Sequence, residues 1–205
     1  MFFVFDGLDG VGKSTQQTLF TDWLKTQAPS VVSCRDPGST SLGERLRSIL
    51  LDKSDLEIAP LSEMLLYMTA RSQLDAETIR PALQSGGAVV SDRYLIANIA
   101  YQGYGGGVDV NAIRNVGLVA TDGVLPDATF LLDLPTETAL ARLQRTLDRV
   151  ESRGAEYFER VRQGFLAEAE RFEHVHVIDA SRSIEQIQDD IRSIALTVMN
   201  RRSTA

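Results

Sequence analysis

Residues 7–14 read Gly7-Leu8-Asp9-Gly10-Val11-Gly12-Lys13-Ser14, a complete G-x4-G-K-[ST] pattern. Glycines in such a run let the backbone curl so that successive N–H groups point inward, at phosphate oxygens that side chains would obstruct. The lysine reaches the β- and γ-phosphates, and the hydroxyl after it ligates Mg²⁺. Gly7, Gly10, Val11, Gly12, Lys13, Ser14 and Thr15 are therefore the candidate triphosphate-binding residues. The pattern alone says only that a nucleoside triphosphate binds, since switches, motors, helicases and small-molecule kinases share it.

Other residues narrow the chemistry. Arg47 and Arg93 are two guanidinium groups, each able to grip a phosphate dianion bidentately. Either alone would equally serve as a surface ion pair. Asp92 follows the apolar run Ala88-Val89-Val90-Ser91, where a carboxylate downstream of a P-loop holds Mg²⁺ directly or through water. Tyr67 and Arg71 are four residues apart and share a helix face. Together they offer a ring to stack on a base and a fork donor for a carbonyl. Gln102 carries both a donor and an acceptor, which suits the N3–H and carbonyl of a pyrimidine. Arg35-Asp36-Pro37-Gly38 reads as a tight turn at a strand end. Arg142, Arg145, Arg149 and Arg153 lie between two helical segments. There they would form a lid, at about residues 142–155, that closes over a transferring phosphoryl group. Paired instead with Glu151 and Glu156, they would be a solvated helix end.

These residues need a scaffold, and the pattern supplies one. Short apolar runs at Phe2–Phe5, Val31–Arg35, Ala88–Ser91, Thr129–Leu132 and His174–Ile178 alternate with amphipathic stretches. The stretches cover Lys13–Gln27, Ser41–Leu51, Pro60–Gln84, Leu95–Gln102, Val110–Ala120, Thr136–Leu147, Glu156–Phe172 and Ile184–Met199. Alternation of this kind predicts an α/β fold with a doubly wound, five-stranded parallel sheet flanked by helices, of the P-loop NTPase type. Ser183 with Gln186 three residues on reads as a capping box, and Gly86-Gly87 as a helix stop. No repeat or linker divides the chain, so residues 1–205 are expected to form one domain. In such sheets ligands bind beyond the carboxyl ends of the strands, where the P-loop, Asp36, Asp92 and Arg93 all fall.

Composition sets outer bounds. The chain has 205 residues, 43% hydrophobic and 24% charged, with a formal net charge of −7. An acidic surface does not gather nucleic acid or an anionic membrane. The single cysteine, Cys34, reads as a buried strand residue in a reducing cytosol. Met1-Phe2-Phe3-Val4-Phe5 is too short for a signal peptide and no run reaches membrane-spanning length, so a cytoplasmic protein is expected. His174 and His176 without carboxylate or cysteine company make no metal site.

Taken together, Asp9 in the P-loop, Arg35-Asp36-Pro37-Gly38, Arg47, Tyr67 with Arg71, Asp92-Arg93-Tyr94 and Tyr101-Gln102-Gly103 resemble the thymidylate kinase family in order and spacing. The resemblance covers nearly the whole chain. It implies the nucleoside monophosphate kinase architecture, ATP as phosphoryl donor with Mg²⁺, dTMP as acceptor, and a homodimer. In the family's pattern Asp36, Pro37, Arg47 and Arg93 line the acceptor phosphate site. Tyr67 packs on thymine, Arg71 bonds its O4, and Tyr101 crowds the sugar 2′ position. Asp9 receives the 3′-hydroxyl. Asp148-Arg149-Val150-Glu151 resembles the bacterial-type lid, which makes Arg149, Arg145 and Arg153, with Lys13 and Arg93, the candidate catalytic residues.

The chain departs from the pattern at Asp36 and Ser39, where Glu-Pro-Gly-Gly is usual. It departs again at Asn98, which is kept among the candidate substrate-binding residues although serine is common there, and at Gly106, where arginine is. The loop Asp179-Ala180-Ser181-Arg182 would approach adenine or simply cap the last helix. Two readings stay open beside dTMP phosphorylation. One is a kinase of the same fold with another nucleotide or nucleoside acceptor, and the other a non-catalytic P-loop nucleotide-binding protein.

Overall fold

A computed structural model describes residues 1–52, 56–143 and 148–203 of the chain. Five strands, β1 (Phe2–Asp6), β2 (Val31–Arg35), β3 (Ala88–Asp92), β4 (Ala128–Asp133) and β5 (Val175–Asp179), form one parallel sheet in the order β2-β3-β1-β4-β5. The central strand β1 is buried along its whole length. A strand covered on both faces must be apolar throughout rather than alternating, as Phe2-Phe3-Val4-Phe5 is. Phe3 and Phe5 pack with Phe20 and Phe130, whose ring centroid lies 5.3 Å from that of Phe20. Phe2 and Val4 pack with Met64, Met68, Tyr94 and Ile113.

The helices are α1 (Lys13–Leu24), α2 (Ser41–Leu51), α3 (Pro60–Leu74), α4 (Arg80–Gln84), α5 (Leu95–Asn98), α6 (Val110–Ala120), α7 (Thr136–Ala141), α8 (Ala155–Arg171) and α9 (Ile184–Ser203). The sheet and its flanking helices agree with the expected fold class. Several bounds differ. The long helix expected over Pro60–Gln84 is helical throughout but passes through a π segment, Asp75–Ile79, between α3 and α4. Pro81 in α4 cannot donate a ladder hydrogen bond, and a π turn is where a helix absorbs such an interruption. A second π segment, Ile99–Gly105, extends α5 beyond the expected Gln102. α1 stops three residues earlier than expected, and α7 ends at Ala141 instead of running on toward the arginines. α9 runs four residues further, and its capping box is realised: Gln186 N donates to Ser183 Oγ at 3.3 Å and Ser183 N to Gln186 Oε1 at 3.2 Å. His174 lies one residue before β5 rather than on it.

Asp6 ends β1 fully buried, one oxygen accepting from the Gly7 N–H and the other without a hydrogen-bond partner. Burial raises its carboxyl to about 7, against the pull of Arg93 and Lys13. The unfolded chain releases this proton near pH 4 while the folded chain keeps it to about 7. Stability contributed by the protonated form is therefore complete below pH 4 and lost as pH rises to about 7. Thermal unfolding of Asp6→Asn against the unaltered protein should show the variant gaining relative stability between pH 4 and 7, and a constant difference across that range would contradict it.

Candidate functional site

The P-loop turns away from β1 at the carboxyl edge of the sheet. Gly7 and Gly10 take φ values of 129° and 87°. A Cβ on either would strike backbone, at 2.3 Å from Leu132 O and 2.1 Å from Ala139 O. Only glycine fits at these two positions, where the P-loop passes close against β4 and α7. Lys13 Nζ donates to Gly7 O at 3.2 Å and Leu8 O at 2.8 Å and lies 3.5 Å from Asp9 Oδ1. Gly12 caps α1, and Ser14 and Thr15 lie exposed in its first turn. A triphosphate would thus meet the lysine, the α1 N–H groups and two open hydroxyls.

Beside the P-loop lies Arg93, the residue after β3, with φ 68°. A left-handed backbone at a non-glycine residue costs on the order of 1–3 kcal/mol and persists where its surroundings hold it. Here they do: Nη1 donates to Gly7 O at 2.9 Å, and Nη2 to Asp9 Oδ1 at 2.8 Å and Tyr101 Oη at 3.1 Å. The guanidinium lies over the Tyr101 ring, 4.8 Å from its centroid. Burial works to raise the Asp9 carboxyl, but the charges of Arg93 and Lys13 outweigh it and hold Asp9 well below the usual carboxylate range. Asp92 Oδ1 is buried without a partner. That orphaned oxygen and the Ser14 hydroxyl suit a hard cation that keeps phosphate oxygens and water as its other ligands. Among the described residues no cluster of three or more His, Cys, Asp or Glu could hold a metal by itself.

A cleft opens from the P-loop toward α2 and α3. It is lined by Asp9, Asp36, Pro37, Arg47, Tyr67, Arg71, Asp92, Arg93, Asn98, Tyr101 and Gln102. All the acceptor-side residues expected from sequence meet here. Arg47 Nη1 donates to Pro37 O at 2.9 Å. The Asp36–Pro37 bond is cis. Ser39, the departure from glycine, takes φ 63° and is held by two bonds: Arg35 N to its hydroxyl at 2.9 Å, and its own N–H to Glu44 Oε1 at 2.6 Å.

Under the cleft runs a chain of buried polar side chains. Arg71, 2% exposed, donates from Nε to Asp36 Oδ2 at 2.6 Å, from Nη2 to Tyr94 O at 3.1 Å and from Nη1 to Asn98 Oδ1 at 2.8 Å. Asn98 Nδ2 donates to Gln102 Oε1 at 2.6 Å, and Gln102 Nε2 to Glu63 Oε1 at 2.9 Å. Glu63, 1% exposed, accepts on Oε2 from Arg149 Nη2 at 2.6 Å and from Arg153 Nη2. Burial disfavours the Glu63 charge, yet the bonds from Gln102 and Arg149 and the nearby Arg153 hold its carboxyl below its ordinary value. Glu63 escaped the sequence reading. Its signal was present, because Glu63, Tyr67 and Arg71 fall at i, i+4 and i+8 on one face.

The arginine-rich segment is only partly as expected. Arg149 and Arg153 take Glu63, not Glu151 or Glu156, as their partner; Arg149 also donates to Leu50 O at 2.7 Å, and Arg153 to Tyr157 Oη at 3.1 Å. Arg142 is exposed after α7. Arg145 lies outside the described residues. Asp148, Val150 and Glu151 join the cleft wall. Val11 is buried, so of its P-loop neighbours it packs inward rather than facing a ligand with its side chain. The Asp179–Arg182 segment is a capped turn with only Ala180 buried: Asp179 Oδ1 accepts from the Ser181 N–H and hydroxyl, and Arg182 pairs with Asp190. At Gly106 a Cβ would sit 2.8 Å from Gln102 O, so the departure from arginine there accompanies a tight π turn.

Comparisons with known proteins agree with this geometry. The family model described as "Thymidylate kinase" matches residues 5–191. The chain is 46% identical over 192 residues to the thymidylate kinase of Rhodopirellula baltica, covering 93% of this chain and 78% of that one. It is 42% identical over 205 residues to that of Gloeobacter violaceus, covering 98% and 96%. The crystal structure of thymidylate kinase from Ehrlichia chaffeensis superimposes with a TM-score of 0.77 at 31% identity, over 95% of this chain and 98% of that one. A family match of this extent, on a P-loop facing a cleft with paired arginines, means that the chain belongs to the thymidylate kinase family.

Proposed function

We propose that this protein transfers the γ-phosphoryl group of ATP to dTMP, giving dTDP and ADP. The observation that carries the reading is the cleft shared by Asp9, Arg93, Arg47, Tyr67, Arg71 and Gln102 directly beside the P-loop. Lys13 and the α1 N-terminus take the donor phosphates. Ser14 and Asp92 hold Mg²⁺, which neutralises charge on those phosphates. Arg47 and Arg93 hold the acceptor phosphate in line with the donor. Arg93 exchanges part of its bonding to Asp9 for the phosphate, and Asp9 and Tyr101 face the sugar. Tyr67 packs on the base, while Arg71 and Gln102 face its polar edge. Gln102 has one N–H and one lone pair left over from its internal bonds. The acceptor oxygen is already anionic, so no general base is needed, and positioning with charge neutralisation carries the catalysis. Arg149 and Arg153, with Arg145 between α7 and residue 148, close over the transferring group as a lid at about 142–155.

The same reading makes the protein cytoplasmic and homodimeric. No helix among the described residues is long and apolar enough to cross a membrane. Ile49 on α2 and Leu61 and Leu65 on α3 are exposed apolar side chains on two packed helices, a face suited to a second copy of this chain. Light scattering should give twice the monomer mass, and Leu61→Glu with Leu65→Glu should return it to the monomer; a monomer without these changes contradicts the dimer.

An ADP-release assay with Mg·ATP and dTMP, dUMP, dCMP, dGMP, UMP and thymidine tests the acceptor. A preference for dTMP is expected. Preference for another acceptor would move the reading to a different kinase of this fold, and nucleotide binding without turnover would leave only a binding protein. Arg93→Ala should lower kcat/KM for dTMP by about 10²–10³, the scale of one lost charge-stabilising donor. Arg47→Ala should act mainly on the KM for dTMP, leaving the KM for ATP unchanged.

A further inference from the structure

The polar chain beneath the cleft has a direction, and its two ends fix it. Arg71 can only donate, and an ionised Glu63 can only accept. Between them Asn98 must turn its oxygen to Arg71 and its N–H₂ to Gln102, and Gln102 must then turn its oxygen to Asn98 and its N–H₂ to Glu63. Reversing the Gln102 amide would set its Nε2 against the Asn98 donor and its Oε1 against the Glu63 carboxylate, two repulsive contacts in place of two bonds. All four side chains are buried, so water does not relieve that cost.

We infer that Glu63 is a positioning residue for acceptor specificity: it locks the Gln102 amide in the orientation that suits a pyrimidine with a 4-keto group and an N3–H, against one with a 4-amino group and a bare N3. The two bases present opposite donor–acceptor patterns on the same edge. An amide free to turn would accept either, whereas a fixed one pairs with one and opposes the other. Buried groups left unpaired by the wrong partner are the strongest source of such discrimination. Glu63 also holds Arg149 and Arg153, so its loss changes turnover with every acceptor. The ratio between two acceptors isolates its effect on the base.

The inference rests on the acceptor assignment proposed above, and its test separates the two. Glu63→Gln keeps the side-chain shape but can donate as well as accept, so a turned Gln102 amide no longer opposes a carboxylate and meets only the neutral contact at Asn98. We expect kcat/KM for dTMP relative to dCMP to fall about tenfold or more, mostly through KM, while the ratio for dTMP relative to dUMP stays unchanged. An unchanged dTMP:dCMP ratio in the folded variant overturns the inference, as does an equal fall in both ratios. Asn98→Ala is the second variant, informative even where Glu63→Gln does not fold. It cuts Arg71 out of the chain but leaves Glu63 on Gln102, so the dTMP:dCMP preference should hold, and its collapse would assign the orientation to Arg71 instead. Unaltered protein that prefers dCMP or a purine fails the acceptor assignment itself. Unaltered protein that prefers dTMP, with Glu63→Gln unchanged, fails only the role of Glu63.

Discussion

Two opposite charges buried beneath the cleft, Arg71 and Glu63, impose the constraint on which the rest depends. Neither is tolerable in the interior alone, since removing one partner of a buried charge network costs about 3–5 kcal/mol. Each is therefore satisfied by elements far apart in the sequence. Arg71 reaches Asp36 after β2, Asn98 in α5 and the Tyr94 carbonyl. Glu63 reaches Gln102 in the second π segment and the two arginines at 149 and 153. One face of α3 thereby ties the β2 turn, the helix after β3 and the arginine-rich segment into one wall of the cleft.

The other wall is backbone. Gly7 and Gly10 bring the P-loop against β4 and α7 so closely that no side chain fits. Arg93, in a left-handed conformation, turns its guanidinium back onto that loop and onto Asp9. The P-loop and the cleft are thus joined through a single arginine, which touches a P-loop carbonyl with one nitrogen and a P-loop carboxylate with the other. Short-range placement of this kind is what in-line phosphoryl transfer requires, because positioning and charge supply most of its catalysis.

Much of this was legible in the sequence, for an identifiable reason. The P-loop, Asp92-Arg93 and Tyr67 with Arg71 act through local geometry, a turn, a strand end or a helix face, and spacing encodes local geometry. The central strands β1, β3 and β4 were legible because strands covered on both faces need uninterrupted apolar runs. The half-buried edge strands β2 and β5 showed only as short apolar stretches between helical ones. Glu63 was not, because its meaning depends on partners 39 to 90 residues away. The same distance hid Glu63 as the partner of Arg149 and Arg153, which in sequence read either as lid arginines or as a solvated helix end beside Glu151 and Glu156. The π segments were missed because periodicity near 3.6 does not register one widened turn. Asn98 read as a departure from serine, and its place became plain only when its amide was seen to pass the chain from Arg71 to Gln102.

A crystal structure of the protein with ADP, Mg²⁺ and dTMP would test the central claim most directly. The account predicts the dTMP phosphate between Arg47 and Arg93, the base against Tyr67 with its N3–H on Gln102 Oε1, and the bond from Gln102 to Glu63 intact. A base bound outside this cleft, or one whose polar edge meets neither Arg71 nor Gln102, would contradict it.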